Sequence, residues 1–182
     1  MYTHTHLALL RGINVGKHKK VPMADLRKTF SKMGFGNVRT VLATGNVIFE
    51  AEAEKPDVYS DQIAGTLEDA FGFPIPVLLR PFSSIGKIIA RNPFREIEAG
   101  PRIKLNATFL PGPPSTSHEF PYNAPDGSFQ IISLIDHTVF SVLDLDKSGT
   151  TDMMKELEKL FGKNITTRTW KTVLRIGEKG RG

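Results

Sequence analysis

Leu7, Ala8, Leu9 and Leu10 are the first apolar run of the chain, and residues 5–10, closed by Gly12, read as a buried strand. Beyond a polar loop, Met23, Leu26, Phe30 and Met33 recur at helical spacing. Val21-Pro22 reads as the helix start, with proline at the first position. Asp25 sits near the positive end of the helix dipole, and Gly34 is the stop. Residues 37–43 and 46–51 read as strands joined through Thr44-Gly45-Asn46, a sequence suited to a tight hairpin. Tyr59, Ile63, Leu67 and Ala70 then mark the stripe of a second amphipathic helix ended by Gly72. Residues 75–80 follow as a strand with Pro74 and Pro76 at its start. The order strand-helix-strand-strand-helix-strand is the ferredoxin-like plan. Its last strand lies at a sheet edge, where prolines are tolerated.

The second half is patterned more loosely. Ser83 to Arg91 reads as a short connecting helix ended by Asn92-Pro93. Leu105, Ala107 and Phe109 alternate in a strand that begins near Ile103. Residues 111–127 are loop-like and rich in proline, a length that marks a mobile or functional segment. Phe129 to Ile135 and Thr138 to Leu145 read as a hairpin around Asp136-His137. Thr151 to Phe161 is a helix with Met154, Leu157, Leu160 and Phe161 inward, and Thr172 to Ile176 a final helix. The fold class is α+β: two ferredoxin-like α/β sandwich units in tandem, with mostly antiparallel sheets. Residues 1–82 form the first unit, 83–102 a connecting helix and linker, and 103–182 the second α+β unit.

Composition narrows the chemistry. The chain has 182 residues, 40% of them hydrophobic, enough for a core without disulfide or metal staples. It contains no cysteine, which removes thiol nucleophiles, zinc ribbons, iron–sulfur clusters and disulfides together. The first apolar run is too short for a signal peptide or a membrane span, so a cytoplasmic protein with no membrane partner is expected. The positive charge is concentrated. Residues 11–40 carry eight Lys/Arg against Asp25 alone, and residues 163–182 carry six against Glu178. These are either a positive face for an anionic partner or two solvated helix faces.

The loop Arg11-Gly12-Ile13-Asn14-Val15-Gly16-Lys17 approaches a Walker A loop. Its glycines are one residue too close, and His18 stands where the magnesium-binding Ser/Thr belongs. Two readings remain. Glycine-bent backbone amides at a helix start, with Arg11 and Lys17, can hold a phosphate or carboxylate. Equally, the glycines can serve a strained connection.

Four further segments are distinctive: Val21-Pro22-Met23-Ala24-Asp25-Leu26-Arg27, Gly45-Asn46-Val47-Ile48-Phe49, Asn92-Pro93-Phe94 and Thr166-Thr167-Arg168-Thr169-Trp170-Lys171-Thr172-Val173. With the Arg11 loop, they resemble a bacterial family catalogued as the domain of unknown function 1697 family. The resemblance implies two ferredoxin-like units and no assigned activity. It also marks departures: Lys17 stands where the family has a second glycine, and Thr169 and Lys171 flank Trp170 where the family has asparagines.

In the late segment, Trp170 either stacks on a base while Arg168 holds phosphate, or anchors the C-terminal helix in the core. Its threonines are suited to capping a helix. Asp144 to Asp152 imitates the start of a calcium loop, but Lys155 occupies the position that needs a bidentate glutamate, so a strand-to-helix turn is expected. His4 and His6 share a strand face without a third ligand at useful spacing, as at an exposed N-terminal end. No nucleophile elbow, paired-carboxylate motif or dinucleotide fingerprint occurs, so no cofactor and no metal is expected.

The sequence reading is therefore a binding module for a phosphate-bearing anionic ligand, nucleotide or nucleic acid. Its candidate residues are Arg11, Gly12, Asn14, Gly16, Lys17, Thr44, Gly45, Asn46, Arg168 and Trp170. The alternatives are an enzyme on a small anionic substrate, with no nameable general base, and a protein–protein module using a strand edge and the Pro-rich loop.

Overall fold

The computed structural model describes residues 3–115 and 117–182. The chain divides into two compact units, residues 1–86 with 175–182, and residues 87–174.

The first unit is built on β1 (His4–Leu10), α1 (Met23–Lys32), β2 (Gly36–Val41), β3 (Asn46–Ala51), α2 (Ser60–Phe71) and β4 (Val77–Pro81). A 3-10 turn at Pro56–Tyr59, which the apolar pattern does not reveal, leads into α2. The four strands lie in the order β2-β3-β1-β4, and every pairing is antiparallel. With that element order this is the split βαβ plan. β4 is at the edge, as the prolines require, but it begins two residues after the predicted start. Pro76 has no N–H to give a ladder, and its carbonyl instead accepts from the Arg11 amide at 2.9 Å.

Two other boundaries shift for local reasons. Pro22 is the extended cap residue before α1 rather than its first helical residue, with ψ at 134°. β2 stops at Val41, which pairs with Asn46, leaving a four-residue loop in which Leu42 and Gly45 both have positive φ. Alternate residues of β1 and β3, including Ala8, Leu10, Val47 and Phe49, meet Leu26 and Phe30 of α1 and Ile63 and Leu67 of α2 in one apolar core.

His6 belongs to this buried face. The expectation of an exposed histidine pair is overturned: the strand starts at His4, and the Phe49 and Tyr59 rings lie against His6, which is fully buried. Its Nε2 donates to the Ala53 carbonyl at 2.8 Å, while Nδ1 is buried with no hydrogen-bond partner among the described residues. Burial lowers the His6 pKa below its ordinary value, against the opposing effect of the Ala53 bond, and His4 adds to the lowering. The folded state thus binds the His6 proton less readily than the unfolded chain does. Stability is therefore full above pH ~6.5 and falls as pH drops from there through the folded-state pKa. In urea unfolding at stepped pH, this contribution should vanish in His6→Phe. An unchanged pH slope in that variant would remove His6 as the cause.

The second unit contains most of α3 (Ser83–Arg91), then β5 (Ile103–Phe109), β6 (Tyr122–Asn123), β7 (Phe129–Ile135), β8 (Thr138–Asp144), α4 (Thr150–Phe161), β9 (Thr166–Thr169) and the start of α5 (Trp170–Gly180). Its sheet has the order β6-β7-β8-β5-β9, again with antiparallel pairings. β7-β8-β5-β9 repeats the strand order of the first sheet. Where the first unit has α1, this one has the proline-rich passage and the two-residue β6. Asp136 and His137 both adopt positive φ, as a tight hairpin turn requires. Leu110, Ile131, Val139, Leu143, Met153, Leu157 and Ile165 pack between the sheet and α4.

Residues 175–182 of α5 and its tail pack on the first unit. Arg39 Nη1 donates to the carbonyls of Lys179 and Gly182 at 2.8 and 2.7 Å, and the Phe82 ring lies directly on Gly180. No helix among the described residues is long and apolar enough to cross a membrane.

Candidate functional site

β1 ends at Leu10 and the backbone turns at once. Gly12, Asn14, Gly16 and Lys19 all have positive φ, at 71°, 55°, 60° and 50°. Glycine takes this conformation without strain, and asparagine tolerates it better than most residues. Between the two turning residues, Ile13 is buried and plugs the loop into the first core. In the sequence, the sign of that anchor is an isolated apolar residue between Gly12 and Asn14.

Asn14 closes the loop. Its Nδ2 donates to the Val21 carbonyl at 2.9 Å and to the Ala43 carbonyl at 2.8 Å, and its Oδ1 accepts from the Val21 amide at 2.8 Å. The Asn14 amide itself donates to the Lys19 carbonyl at 3.0 Å. Residues 14–21 are thus a closed loop held at the neck. The Asn14 amide group is spent on the backbone.

The hairpin loop carrying Thr44, Gly45 and Asn46 packs beside this neck. The Gly45 carbonyl accepts from the Leu10 amide at 2.8 Å. A Cβ on Gly45 would stand 2.7 Å from Leu10 Cβ and 2.8 Å from Ile13 Cδ1. Asn46 is fully buried, and its Nδ2 donates to the Val41 carbonyl at 2.7 Å and to Thr44 Oγ1 at 3.0 Å. The fold therefore brings Arg11, Gly12, Asn14, Gly16, Lys17, Thr44, Gly45 and Asn46 to one end of the first sheet. Asn14, Gly45 and Asn46 shape that end. Arg11 is half-buried, and Gly12, Gly16, Lys17 and Thr44 are exposed.

Past the neck, every residue from Val15 to Lys20 is exposed, Val15 to 71%. Four of these six are Lys17, His18, Lys19 and Lys20. Lys20 Nζ donates to the Gly16 carbonyl at 2.8 Å, and Lys19 Nζ stands 5.8 Å from the centre of the Phe73 ring. These contacts engage the ammonium groups of Lys19 and Lys20, while both side chains stay exposed at the tip.

Arg168 and Trp170 lie in the second unit. Arg168 is on β9, opposite Ala107 of β5, a strand that the four polar residues Thr166–Thr169 do not announce. It is buried, and its Nη1 donates to Thr166 Oγ1 at 3.1 Å and to the Thr167 carbonyl at 3.0 Å. Burial pulls its pKa down to about 10, so it remains a cation at neutral pH. Thr169 caps α5, accepting from the Thr172 amide at 3.3 Å. The Trp170 ring is 8% exposed and meets the Phe94 and Phe140 rings edge-on, at 5.3 and 6.0 Å. That is the core alternative for Trp170, and Asn92-Pro93-Phe94 supplies one of its partners.

The calcium-like segment is a turn. Asp144 Oδ1 accepts from the Asp146 amide, and Asp146 pairs with Arg102 at 2.6 Å. Among the described residues, no group of three or more His, Asp or Glu side chains is placed to hold a metal ion.

The sequence profile of a protein of unknown function, DUF1697, matches residues 3–140. The chain belongs to this family. The match ends before the Thr166 to Val173 segment, so it spans all of the loop and hairpin geometry above but not Arg168 and Trp170. No curated protein matches the chain. Among solved structures, a conserved bacterial protein from Streptococcus pneumoniae is similar over 100% of both chains, with a TM-score of 0.69 and 20% identity. At that identity the likeness concerns the fold of this DUF1697 member and not its chemistry.

Proposed function

We propose that this protein is a binding module for phosphate-bearing polyanions, with nucleic acid as the ligand class and the loop 15–20 as its contact. The observation that carries the reading is the Asn14 closure, which holds a run of four basic side chains in solvent on a fixed neck. A loop fixed before binding loses little freedom on binding. Each lysine that meets a phosphate releases condensed counterions, so affinity should fall steeply with salt. The exposed tip suits a polymer backbone better than an enclosed small nucleotide, and Val15 offers apolar contact among the charges. Arg27, Lys28 and Lys32 on the exposed face of α1 add to the positive field of the unit.

Filter binding of single- and double-stranded nucleic acid over a salt series tests this. The triple variant Lys17→Ala, Lys19→Ala, Lys20→Ala should bind about tenfold more weakly and lower the salt slope by about 2–3. Its unfolding midpoint should stay near that of the parent, since all three side chains are exposed. Absent binding, binding indifferent to salt, or a triple variant with the parent slope would each reject the reading.

A further inference from the structure

β7 pairs with β8 from Phe129 to Ile135, but β6 covers its outer side only at Gln130 and Ile131. Among the described residues, no strand continues that ladder past Ile131. Ile132, Ser133, Leu134 and Ile135 thus close the sheet with a bare edge. Edges of this kind are usually guarded by charge or proline, and these four residues carry neither.

The register passes from Ile131 opposite Ser141 to Ser133 opposite Phe140, which places one extra residue, Ile132, in a bulge. A bulge re-aims the side chain it carries. Here Ile132 lines a cleft of about 660 Å³ beside the edge. Ile135, Pro93 and Ile97 line the same cleft, together with the exposed Arg91 and Arg95. Glu96 supplies a carboxylate 3.7 Å from Arg95, in a pair so exposed that it contributes little and can be displaced. Ser133 Oγ is buried with no hydrogen-bond partner among the described residues.

We infer that this edge and cleft take a short, extended peptide segment with acidic side chains, added to the second sheet as a strand beside β7. Backbone hydrogen bonds to the bare edge would supply affinity, and alternate side chains would enter the cleft. Two guanidinium groups against one carboxylate favour an acidic partner, because a peptide carboxylate reaching Arg91 or Arg95 makes charge-assisted hydrogen bonds. The apolar lining calls for a β-branched or leucine side chain two positions from an acid, on the same face of the added strand.

The test pans a display library of short random peptides on the full chain and measures enriched peptides by fluorescence anisotropy. Enrichment of peptides with an acidic and a β-branched residue two positions apart is expected. The variant Arg91→Glu, Arg95→Glu should weaken those peptides at least tenfold with an unchanged unfolding midpoint. N-methylation of alternate peptide amides, which removes the edge donors, should abolish binding. Failure to enrich, enrichment of basic peptides, indifference to the double charge reversal, or tolerance of N-methylation would each overturn the proposal. Sedimentation showing that the cleft is filled by a second copy of the chain would overturn it as well.

Discussion

Replacing Gly45 by alanine should cost about 3 kcal/mol, the sum of roughly 1–2 for a non-glycine residue in left-handed backbone and 1–3 for overpacking. Gly45 has φ at 84°, and its missing Cβ position lies 2.7 Å from Leu10 Cβ. Leu10 is on the central strand β1 and donates its own amide to Gly45, so it cannot withdraw without opening that bond. Ile13 Cδ1, at 2.8 Å, can move only by unplugging the loop from the core. Gly72 provides the control: its φ is 80°, yet a Cβ there meets nothing within 4 Å. Gly72→Ala should lose only the backbone contribution, about 1 kcal/mol. Chemical denaturation of the two variants separates the causes. Equal losses would mean that contact with Leu10 and Ile13 does not fix glycine at position 45.

Asn14→Ala should cost about 3–5 kcal/mol, because three hydrogen bonds of roughly 0.5–1.5 each are lost and alanine adds roughly 1 for the φ of 55°. Asn14→Gly relieves the backbone and loses the same bonds, so the difference between the two variants isolates the conformational part. Asn14→Asp keeps the acceptor for the Val21 amide but faces two carbonyls with a carboxylate, and should be no more stable than alanine. Hydrogen exchange at Val21 gives the local readout, with protection falling about tenfold or more in Asn14→Ala and Asn14→Gly, which lose the acceptor for its amide. Protection at Val21 that survives Asn14→Ala would show that the neck is held by other contacts. If the neck opens as expected, the salt slope of polyanion binding should shrink with it, even though no lysine has been touched.

The first unit was legible because its elements follow strong periods. Leu26 and Phe30 on α1, Ile63 and Leu67 on α2, and the prolines before β4 each agree with the strand order found. The second unit was less so, for physical reasons. β9 is four residues of Thr and Arg whose pairing with β5 is set across about sixty residues of chain, and a polar run of that length carries no alternation to read. Likewise, Asn14 could be seen as a turn residue, but not as the partner of Ala43, which lies 29 residues away. The apolar pattern also left Trp170 open between core and surface. Only its place against Phe94 and Phe140 separates the two. Of the loop, the sequence carried the glycines and the charge, while Ile13 as the plug and Asn14 as the lock emerged from packing.

The clasp between Arg39 and the carbonyls of Lys179 and Gly182 sets an order of events during synthesis. The first unit takes residues 175–182 from beyond the whole of the second, so a ribosome must synthesise the second unit before that clasp can form. Until then, Phe82 has no Gly180 to rest on, and the four-stranded sheet, complete by Pro81, waits without its clasp. Chains stalled before residue 175 should accordingly be more sensitive to protease around Arg39 and Phe82, and lose that sensitivity once α5 is released.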